Sequence, residues 1–406
     1  MPINLKLIPA PATLPRRPKW WIWLLLLLAG LVGGTAYAIL NNGTKAEVNT
    51  ETFWSTALLI PALFWLTLLL LRLIWHNGQQ SMAYHWDKDR ELALLRETQR
   101  GRRSLQVLGA SLHSALRKLD DTKGEMQWSA LQAKAQALKT QASWLSDEGL
   151  RHSRLVRHES ETPEQLLSRV LSETLDDISQ LLASVPADMP LAVLVESNTS
   201  VPHEQLQAIW QQSWAVSPIR QSVTHMTGSG LTVIDQWLDQ DINKLSLLLV
   251  VALQVAPEQP KGTAEAVVGL LFGSAQTTTD LAPVAILHRP EQAHQTSVQD
   301  LHYALHQSLD WAPVAAEQVT CGWLVGVETV WHEAIATGLK ALPSPINIGQ
   351  DLQDLDKTLG YPGPAAPWLA IAAAADGSSG GEPQLIVSGD GSINTPLWAT
   401  VVMPAS

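Results

Sequence analysis

Residues Ser229–Val255 read SGLTVIDQWLDQDINKLSLLLVVALQV and decide the fold class. Their first twelve residues predict a helix. The stretch Ser246–Val255 that follows predicts a strand, and it is apolar almost throughout. A strand that is apolar on both faces is typical of a sheet covered by helices on both sides. The stretch therefore predicts an α/β protein rather than an all-β or all-helical one.

The same alternation continues on both sides of this stretch. Strands are predicted at Leu191–Ser197, Ala264–Ser274, Pro283–Arg289 and Gly322–Glu328, and Leu385–Ser392 and Leu397–Pro404 form a closing pair. Helices are predicted at Pro163–Val185, Pro202–Trp214, Val298–Leu309 and Val330–Ala341. The stretch Ser104–Leu116 has a short apolar run, a glycine at Gly109 and then helical spacing, so it predicts a strand, a turn and a helix.

Five landmarks occur in an order that resembles the thiolase-like fold of the β-ketoacyl synthases. They are QVLGASLHSAL from Gln106, the stretch from Thr224 to Val255, AEAVVGLLF from Ala264, TLGYPGPAAPWLAIAAAA from Thr358 and LIVSGDGSINTPLWATVVMP from Leu385. The resemblance covers about Ser104 to Ala405. It implies a thiolase-like layered α/β/α domain over residues 104–406.

The positions that carry catalysis in that family differ here. Aligned on the buried helix, the nucleophilic cysteine corresponds to Thr227. One family histidine corresponds to Tyr361 and the preceding lysine to Asp356, with Lys357 one residue away, while residues 326–329 hold no second histidine. Condensation in the family needs a thiolate and imidazoles, and neither threonine nor a phenol replaces them near neutral pH. The resemblance therefore implies a pseudoenzyme with three vestigial positions.

Two apolar segments near the N-terminus predict a transmembrane hairpin. Trp20–Leu40 contains no charged residue, and Phe53–Trp75 contains only Arg72. Each is long enough to cross the hydrocarbon core, which takes about 20 helical residues. Gly30 and Gly34 form a GxxxG pattern, for which we favour packing against the second span over homodimerisation. The alternatives are a cleaved signal peptide for the first segment and two buried helices of a soluble core.

Basic residues flank the hairpin on the outside of both segments. Arg16, Arg17 and Lys19 precede it, and a cluster follows it that consists of Lys88, Arg90, Arg96, Arg100, Arg102 and Arg103. The positive-inside rule predicts two passes of a bacterial inner membrane with both termini in the cytoplasm. The predicted parts are a cytoplasmic tail (1–19), the hairpin (20–75), a juxtamembrane linker helix (76–103) and the cytoplasmic domain (104–406).

Composition and isolated motifs exclude several functions. The net charge of −11 argues against a nucleic-acid partner, and a single cysteine, Cys321, excludes an internal disulfide. His302 and His306 lie four residues apart on a predicted helix, for which a solvated face is a better account than a metal site. No motif predicts a cofactor, and the HExxH pattern fails at Ala336.

An empty thiolase-like domain on a membrane hairpin also resembles the lipase-adaptor proteins of bacterial type VI secretion clusters. That resemblance implies a protein partner, such as a secreted effector or the secretion machinery, and a non-catalytic adaptor. Two other functions stay open. One is a membrane-bound acyl-binding or acyltransferase enzyme that uses Ser229 or Cys321, and the other is a scaffold in which the hairpin is the working part. The fold also allows a homodimer through the strand near Leu248–Leu253.

Overall fold

The computed structural model describes residues 3–42, 50–277, 281–347, 350–377 and 381–405. The chain forms two compact units. The smaller unit is Asn4–Glu97, and the larger combines the segment that ends at Ile3 with the chain from Thr98 onward. The loop between the two predicted spans, residues 43–49, lies outside the described residues.

The smaller unit is built from apolar helices. They are α1 (Trp20–Asn42), α2 (Thr50–Trp54), a π-helical turn (Ser55–Leu59) and α3 (Ile60–Gly101). Two stretches meet the length and hydropathy needed to cross a membrane, and only 6% of the first and 11% of the second is buried within the chain. These low values are inconsistent with buried helices of a soluble core.

Gly34 brings α1 close to the π-helical turn. A Cβ atom on Gly34 would lie 2.6 Å from Cγ of Pro61 and 2.7 Å from the carbonyl oxygen of Ala57. The indole of Trp65 also donates to the carbonyl oxygen of Trp23 at 2.7 Å. The GxxxG glycines therefore serve packing between the two segments, as predicted.

Helix α3 runs without a break to Gly101, so residues 76–101 are helical and continue the second apolar segment. The N-terminal tail lies along this helix. Trp86 donates to the carbonyl oxygen of Ala10 at 3.1 Å, and Arg90 donates to that of Pro9 at 2.8 Å. Asp87 accepts the backbone N–H of Ala12 at 2.7 Å.

The larger unit alternates strands and helices, as predicted. Its strands are β1 (Ser104–Ser114), β2 (Lys139–Ala142), β3 (Gly149–His152), β4 (Leu191–Thr199), β5 (Val223–His225), β6 (Leu247–Val255), β7 (Ala266–Gly273), β8 (Ala285–His288), β9 (Glu291–Gln292), β10 (Cys321–Val325), β11 (Leu352–Asp354), β12 (Gln384–Ser388) and β13 (Trp398–Pro404). Its helices are α4 (Glu125–Gln132), α5 (Pro163–Leu182), α6 (His203–Val216), α7 (Leu231–Gln240), α8 (Val298–Trp311), α9 (His332–Ala341), α10 (Leu355–Thr358) and α11 (Ala366–Gly377).

The main sheet is an internal duplication. Its strand order is β11-β10-β12-β13-β8-β1-β7-β6-β4-β5, so β8, β13, β12, β10 and β11 repeat the arrangement of β1, β7, β6, β4 and β5. In each half the two outer pairings are parallel, and the two pairings nearer the junction are antiparallel. The halves join through the antiparallel β1–β8 pair, from Ser104↔His288 to Val107↔Ala285.

Three apolar clusters define the layers. Helices α7 and α11 share the central cluster with inner faces of both halves, while α5 and α6 cover one outer face and α8 and α9 the other. In β6, Leu248 and Val250 belong to the central cluster, and Leu249 and Val251 belong to the outer one. Both faces of this strand are buried, which explains its continuous apolar run.

One prediction about a strand is wrong. Ser104–Ser114 is one strand with a bulge between Val107 and Gly109, and no helix follows the glycine. Both faces of this strand are buried and the bulge shifts its register, so its apolar residues have a spacing that resembles that of a helix. Strand β6 pairs on both sides, with β4 and β7, and the homodimer near Leu248–Leu253 stays a prediction.

An ionic cluster fixes the C-terminal half of α7. Arg289 is fully buried and donates to Asp235 at 2.6 Å and also to Asp239, which Arg100 at the end of α3 contacts as well. Burial alone would raise the pKa of Asp239, but the hydrogen bonds and charges of Arg100 and Arg289 lower it to about 2. The cluster links the end of α3, the chain after β8 and the central helix.

Replacing Arg289 by methionine tests this cluster. We expect R289M to destabilise the chain by about 3–5 kcal/mol, because Arg289 is the buried cation that pairs with buried Asp235 and with half-buried Asp239. Unfolding of the full chain in detergent, followed by near-UV circular dichroism, measures the effect. The control is Lys244→Met, which removes the exposed ion pair with Asp241 and should cost less than about 1 kcal/mol. Equal stability of R289M and K244M would contradict the assignment.

Candidate functional site

A cavity of about 390 Å³ lies where the two central helices begin. Ser229, Gly230 and Leu231 line it at the start of α7, and Gly363, Pro364 and Pro367 line it at the start of α11. The other lining residues come mainly from the ends of β4 and β12 and from the closing hairpin: Glu196, Ser388, Gly389, Asp390, Thr395, Pro396, Trp398, with Thr232, Gln292 and Tyr361. The cavity therefore collects equivalent positions from the two halves.

A carboxylate of the chain itself occupies the N-terminus of α7. The backbone N–H of Gly230 donates to Oε1 of Glu196 at 2.7 Å, and Glu196 is only 8% exposed. Gly230 has φ +54°, a left-handed conformation that glycine adopts without strain. Burial raises the pKa of Glu196, and the hydrogen bond from Gly230 opposes that shift. The positive end of the helix is thus directed at a negative group of the protein.

The start of α11 is held by amides. Nε2 of Gln254, at the end of β6, donates to the carbonyl oxygens of Ala264 at 2.9 Å and Tyr361 at 2.8 Å, and its Oε1 accepts from Asn198 at 2.7 Å. A Cβ atom on Gly363 would lie 2.0 Å from Oε1 of Gln254, so only glycine fits there. Gln254 was not predicted to be a site residue. Its position as a lone amide in an apolar strand was nevertheless visible in the sequence.

Only one of the three predicted vestigial positions lines the cavity. Tyr361 does so, and its hydroxyl donates to the carbonyl oxygen of Asp390 at 2.6 Å. Burial raises the pKa of Tyr361, and the negative charges of Asp390 and Asp356 add to the shift. Thr227 is exposed, lies before the first turn of α7 and does not line the cavity.

Asp356 lies in α10, five residues before Tyr361, and does not line the cavity either. Its Oδ2 accepts the backbone N–H of Val327 at 3.2 Å, while Oδ1 is buried and has no hydrogen bond within the described part of the chain. Burial, with the nearby charges of Asp354 and Glu328, raises the pKa of Asp356 to about 7, and its backbone hydrogen bonds oppose the shift. Lys357 points elsewhere and pairs with Asp354 at 2.9 Å.

The other candidate residues lie apart from the cavity. Cys321 begins β10, and burial raises the pKa of its thiol. Nε2 of His302 lies 2.9 Å from the carbonyl oxygen of Ala334, a contact between α8 and α9, and His306 pairs with Asp310 at 3.1 Å. Over the described residues, no group of three or more His, Cys, Asp or Glu is placed to hold a metal ion.

Comparisons with known proteins give similarity of structure alone. No protein-family model and no curated protein matches the sequence. A ketosynthase/chain length factor structure for ishigamide has a TM-score of 0.54 and 13% identity, covering 75% of this chain and 100% of that one. The "AntDE:AntF" complex of an acyl-carrier protein with its ketosynthase has a TM-score of 0.51 and 9% identity, covering 75% and 99%.

A third structure, the "PfaC Keto synthase-Chain length factor", has a TM-score of 0.50 and 11% identity. The match covers 75% of this chain but only 43% of that longer one. Together with the duplicated sheet and the paired central helices, these similarities show that the chain has a mixed α/β, thiolase-like fold. The fold class predicted from the sequence is confirmed, and two apolar helices that could form a hairpin precede the domain.

The raised pKa of Asp356 predicts a pH-dependent stability. The folded chain holds this proton more tightly than the unfolded chain, whose pKa is near 3.8, so stability falls as the pH rises through about 7. Asp356→Asn should therefore raise the melting temperature more at about pH 8 than at about pH 5. Thermal unfolding at both pH values measures the difference. The control variant is D390N, because Asp390 is exposed. An equal gain in melting temperature for D356N at both pH values would contradict the prediction.

Proposed function

We propose that this protein is a non-catalytic, membrane-anchored adaptor or scaffold whose thiolase-like domain binds a protein partner. The anchor lies in a bacterial inner membrane, with two passes and both termini in the cytoplasm. The partner is a secreted effector or part of a secretion machine, as in the type VI lipase adaptors that the sequence resembles. The domain contributes a binding surface and no chemistry.

The observation that carries this proposal is the carboxylate of Glu196 at the N-terminus of α7. Acyl transfer builds negative charge on an oxygen atom, and backbone N–H groups at a helix N-terminus are well suited to stabilise that charge. Here one such N–H, that of Gly230, already donates to Glu196. A second negative charge beside that carboxylate would be repelled. The cavity is therefore poorly suited to the chemistry typical of this fold.

Two further observations support the absence of catalysis. The hydroxyl of Tyr361 is engaged with the carbonyl oxygen of Asp390, and Thr227 lies outside the cavity. Among the described residues, no hydrogen bond joins either side chain to a histidine that could act as its general base. Proton transfer and nucleophilic attack would both need groups other than the three vestigial positions.

The placement of the N-terminus supports two membrane passes. Ile3 is buried, at 2% exposure, in the larger unit, and its backbone N–H donates to Glu291 of that unit, which opposes the rise that burial causes in the pKa of this carboxyl. The first residues and the domain must then lie on one side of a membrane, because the chain cannot thread back through it. An even number of crossings between Ile3 and Thr98 satisfies this requirement, and the two apolar helices supply it.

A protein partner is compatible with the fold. One structural neighbour, AntDE:AntF, is titled as an acyl-carrier protein in complex with its ketosynthase, so a domain of this architecture forms a protein complex there. A fold of this kind can lose its chemistry and keep a docking surface. The partner's identity in this chain rests on the sequence resemblance to the secretion adaptors.

The rival function is a membrane-bound acyl-binding or acyltransferase enzyme, and one observation favours it. Ser229 is exposed and lines the cavity one residue before the Gly230 N–H, so an acyl group on its hydroxyl would lie at the helix N-terminus. The structure places Cys321 outside the cavity, which leaves Ser229 as the residue to test.

Labelling with an acyl-thioester substrate analogue separates the two functions. We expect no covalent adduct on Ser229 or Cys321, because among the described residues neither side chain has a hydrogen bond to a histidine or carboxylate that could act as its base. Intact mass measurement of the full chain, with Ser229→Ala as the control, detects an adduct. A label that S229A abolishes would identify an enzyme and contradict the adaptor proposal.

Co-purification tests the partner. The full chain, purified from its native membrane, should retain one protein in a fixed stoichiometric ratio, which mass spectrometry identifies. The variant S229A should retain the same protein in the same ratio, because an adaptor does not need that hydroxyl. A chain that elutes without any stoichiometric partner, or a partner lost in S229A, would count against a purely non-catalytic adaptor.

Cysteine accessibility tests the topology. In a Cys321→Ser background, Ala46→Cys should react with a membrane-impermeant maleimide on spheroplasts, since residue 46 lies in the loop predicted to be outside. Thr13→Cys in the tail should react only after the membrane is opened. Labelling of Thr13→Cys in intact spheroplasts would reverse the proposed orientation.

A further inference from the structure

A second cavity, of about 530 Å³, lies beside the β2–β3 hairpin in the larger unit. Its charged lining residues are Lys139, Arg154 and Arg157, and no aspartate or glutamate is among the described residues that line it. Leu116, Leu155 and Val156 contribute apolar surface. The whole chain has a net charge of −11, whereas the described residues that line this cavity carry three positive charges and no negative one. The local charge of the cavity is therefore opposite in sign to that of the chain.

Trp144 holds two of these cations close together. Cζ of Arg154 lies 4.1 Å from the centroid of the indole ring, and Cζ of Arg157 lies 4.9 Å from it. The indole is fixed in turn, because its Nε1 donates to Oε1 of buried Glu265 at 2.5 Å. Both guanidinium groups therefore contact the same indole, and their charges are close enough for Arg157 to lower the pKa of Arg154, after the larger effect of burial.

Glu265 forms no ion pair with Arg154 or Arg157 among the described residues. Its Oε1 accepts from Trp144 and from the backbone N–H of Ala256, at 2.5 and 3.0 Å, and its Oε2 accepts the backbone N–H of Leu155 at 3.0 Å. The carboxylate is thus held by three N–H donors, and its charge opposes the lowering that burial causes in the pKa of Arg154. Arg157 is exposed and has no carboxylate partner within the described chain.

Arg154 has an unmet hydrogen-bond donor. Its Nη1 donates to the carbonyl oxygen of Ala142 at 2.9 Å, but its Nη2 is buried and has no hydrogen bond within the described residues. Burial lowers the pKa of Arg154 despite the charge of Glu265, and repulsion from Arg157 lowers it further. Buried N–H groups are rarely left without a partner, so the group is a reason to look for an anion or water there.

We propose that this cavity binds a phosphate monoester, with the phosphate on Arg154 and Arg157 and the organic part on the apolar wall. A phosphate monoester carries a charge of about −1.5 to −2 near pH 7 and accepts paired guanidinium hydrogen bonds. It would relieve the repulsion between the two arginines. The volume of a small phosphate monoester suits the cavity better than that of an acidic peptide, which would need an extended groove. The site is separate from the cavity at the helix N-termini and does not depend on the adaptor proposal.

A calorimetric titration tests the site. The full chain in phosphatidylcholine nanodiscs is titrated with glycerol 3-phosphate, and we expect saturable binding. Arg157 is exposed and makes no hydrogen bond or ion pair within the described chain, so Arg157→Gln should fold normally and weaken binding by at least about tenfold. Arg151→Gln is the matched control, because Arg151 is exposed on β3 but does not line the cavity, and its affinity should stay within about twofold.

Two further arms distinguish the sources of the phosphate. If phosphatidic acid in the nanodisc competes with glycerol 3-phosphate, and R157Q abolishes that competition, the natural ligand is a lipid headgroup. If it does not compete, the ligand is soluble. Absence of saturable binding, equal losses in R157Q and R151Q, or tighter binding of a hexaglutamate peptide than of glycerol 3-phosphate would overturn the proposal.

Discussion

The antiparallel pairing of β1 with β8 is the interaction on which the rest of the larger unit depends. Four residue pairs, from Ser104↔His288 to Val107↔Ala285, join two halves that otherwise repeat each other. The pairing reverses the strand direction between the halves. Their equivalent helices, α7 and α11, can then pack in one central layer with both N-termini at one cavity. This junction lets the two helices share one apolar cluster.

The two helix N-termini at the cavity are equivalent by symmetry but not in chemistry. The start of α7 interacts with the carboxylate of Glu196, whereas the start of α11 is fixed by the amide of Gln254 packed against Gly363. A duplicated fold thus gives two similar places for binding an anion, and this sequence fills one with its own negative charge. That asymmetry comes from this sequence and not from the fold, which by itself does not determine function.

The sequence predicted most strands and helices because apolar periodicity reports burial directly. The capping box of Thr162 and Gln165, for example, starts α5 where Pro163 was expected to start it. Prediction from the sequence failed at β1, because a bulge and burial on both faces give its apolar residues a spacing that resembles that of a helix. Contacts between distant residues leave no local pattern, so the cluster of Trp144 with Arg154 and Glu265 was not predictable from the sequence. The distances of Thr227 and Asp356 from the cavity likewise depend on tertiary packing.

Helix α7 also connects the cavity to the end of the long helix α3. Its N-terminus borders the cavity, while Asp239 near its C-terminus carries a negative charge that the helix dipole disfavours there. Arg289 and Arg100 compensate that charge, and Arg100 belongs to the last turn of α3. Gly101 allows the same turn to pack on Trp311, because a Cβ atom there would lie 2.3 Å from the indole. Asp239 of α7 therefore pairs with a cation from the last turn of α3. Residues Thr98–Gly101 of that helix and the domain belong to one compact unit.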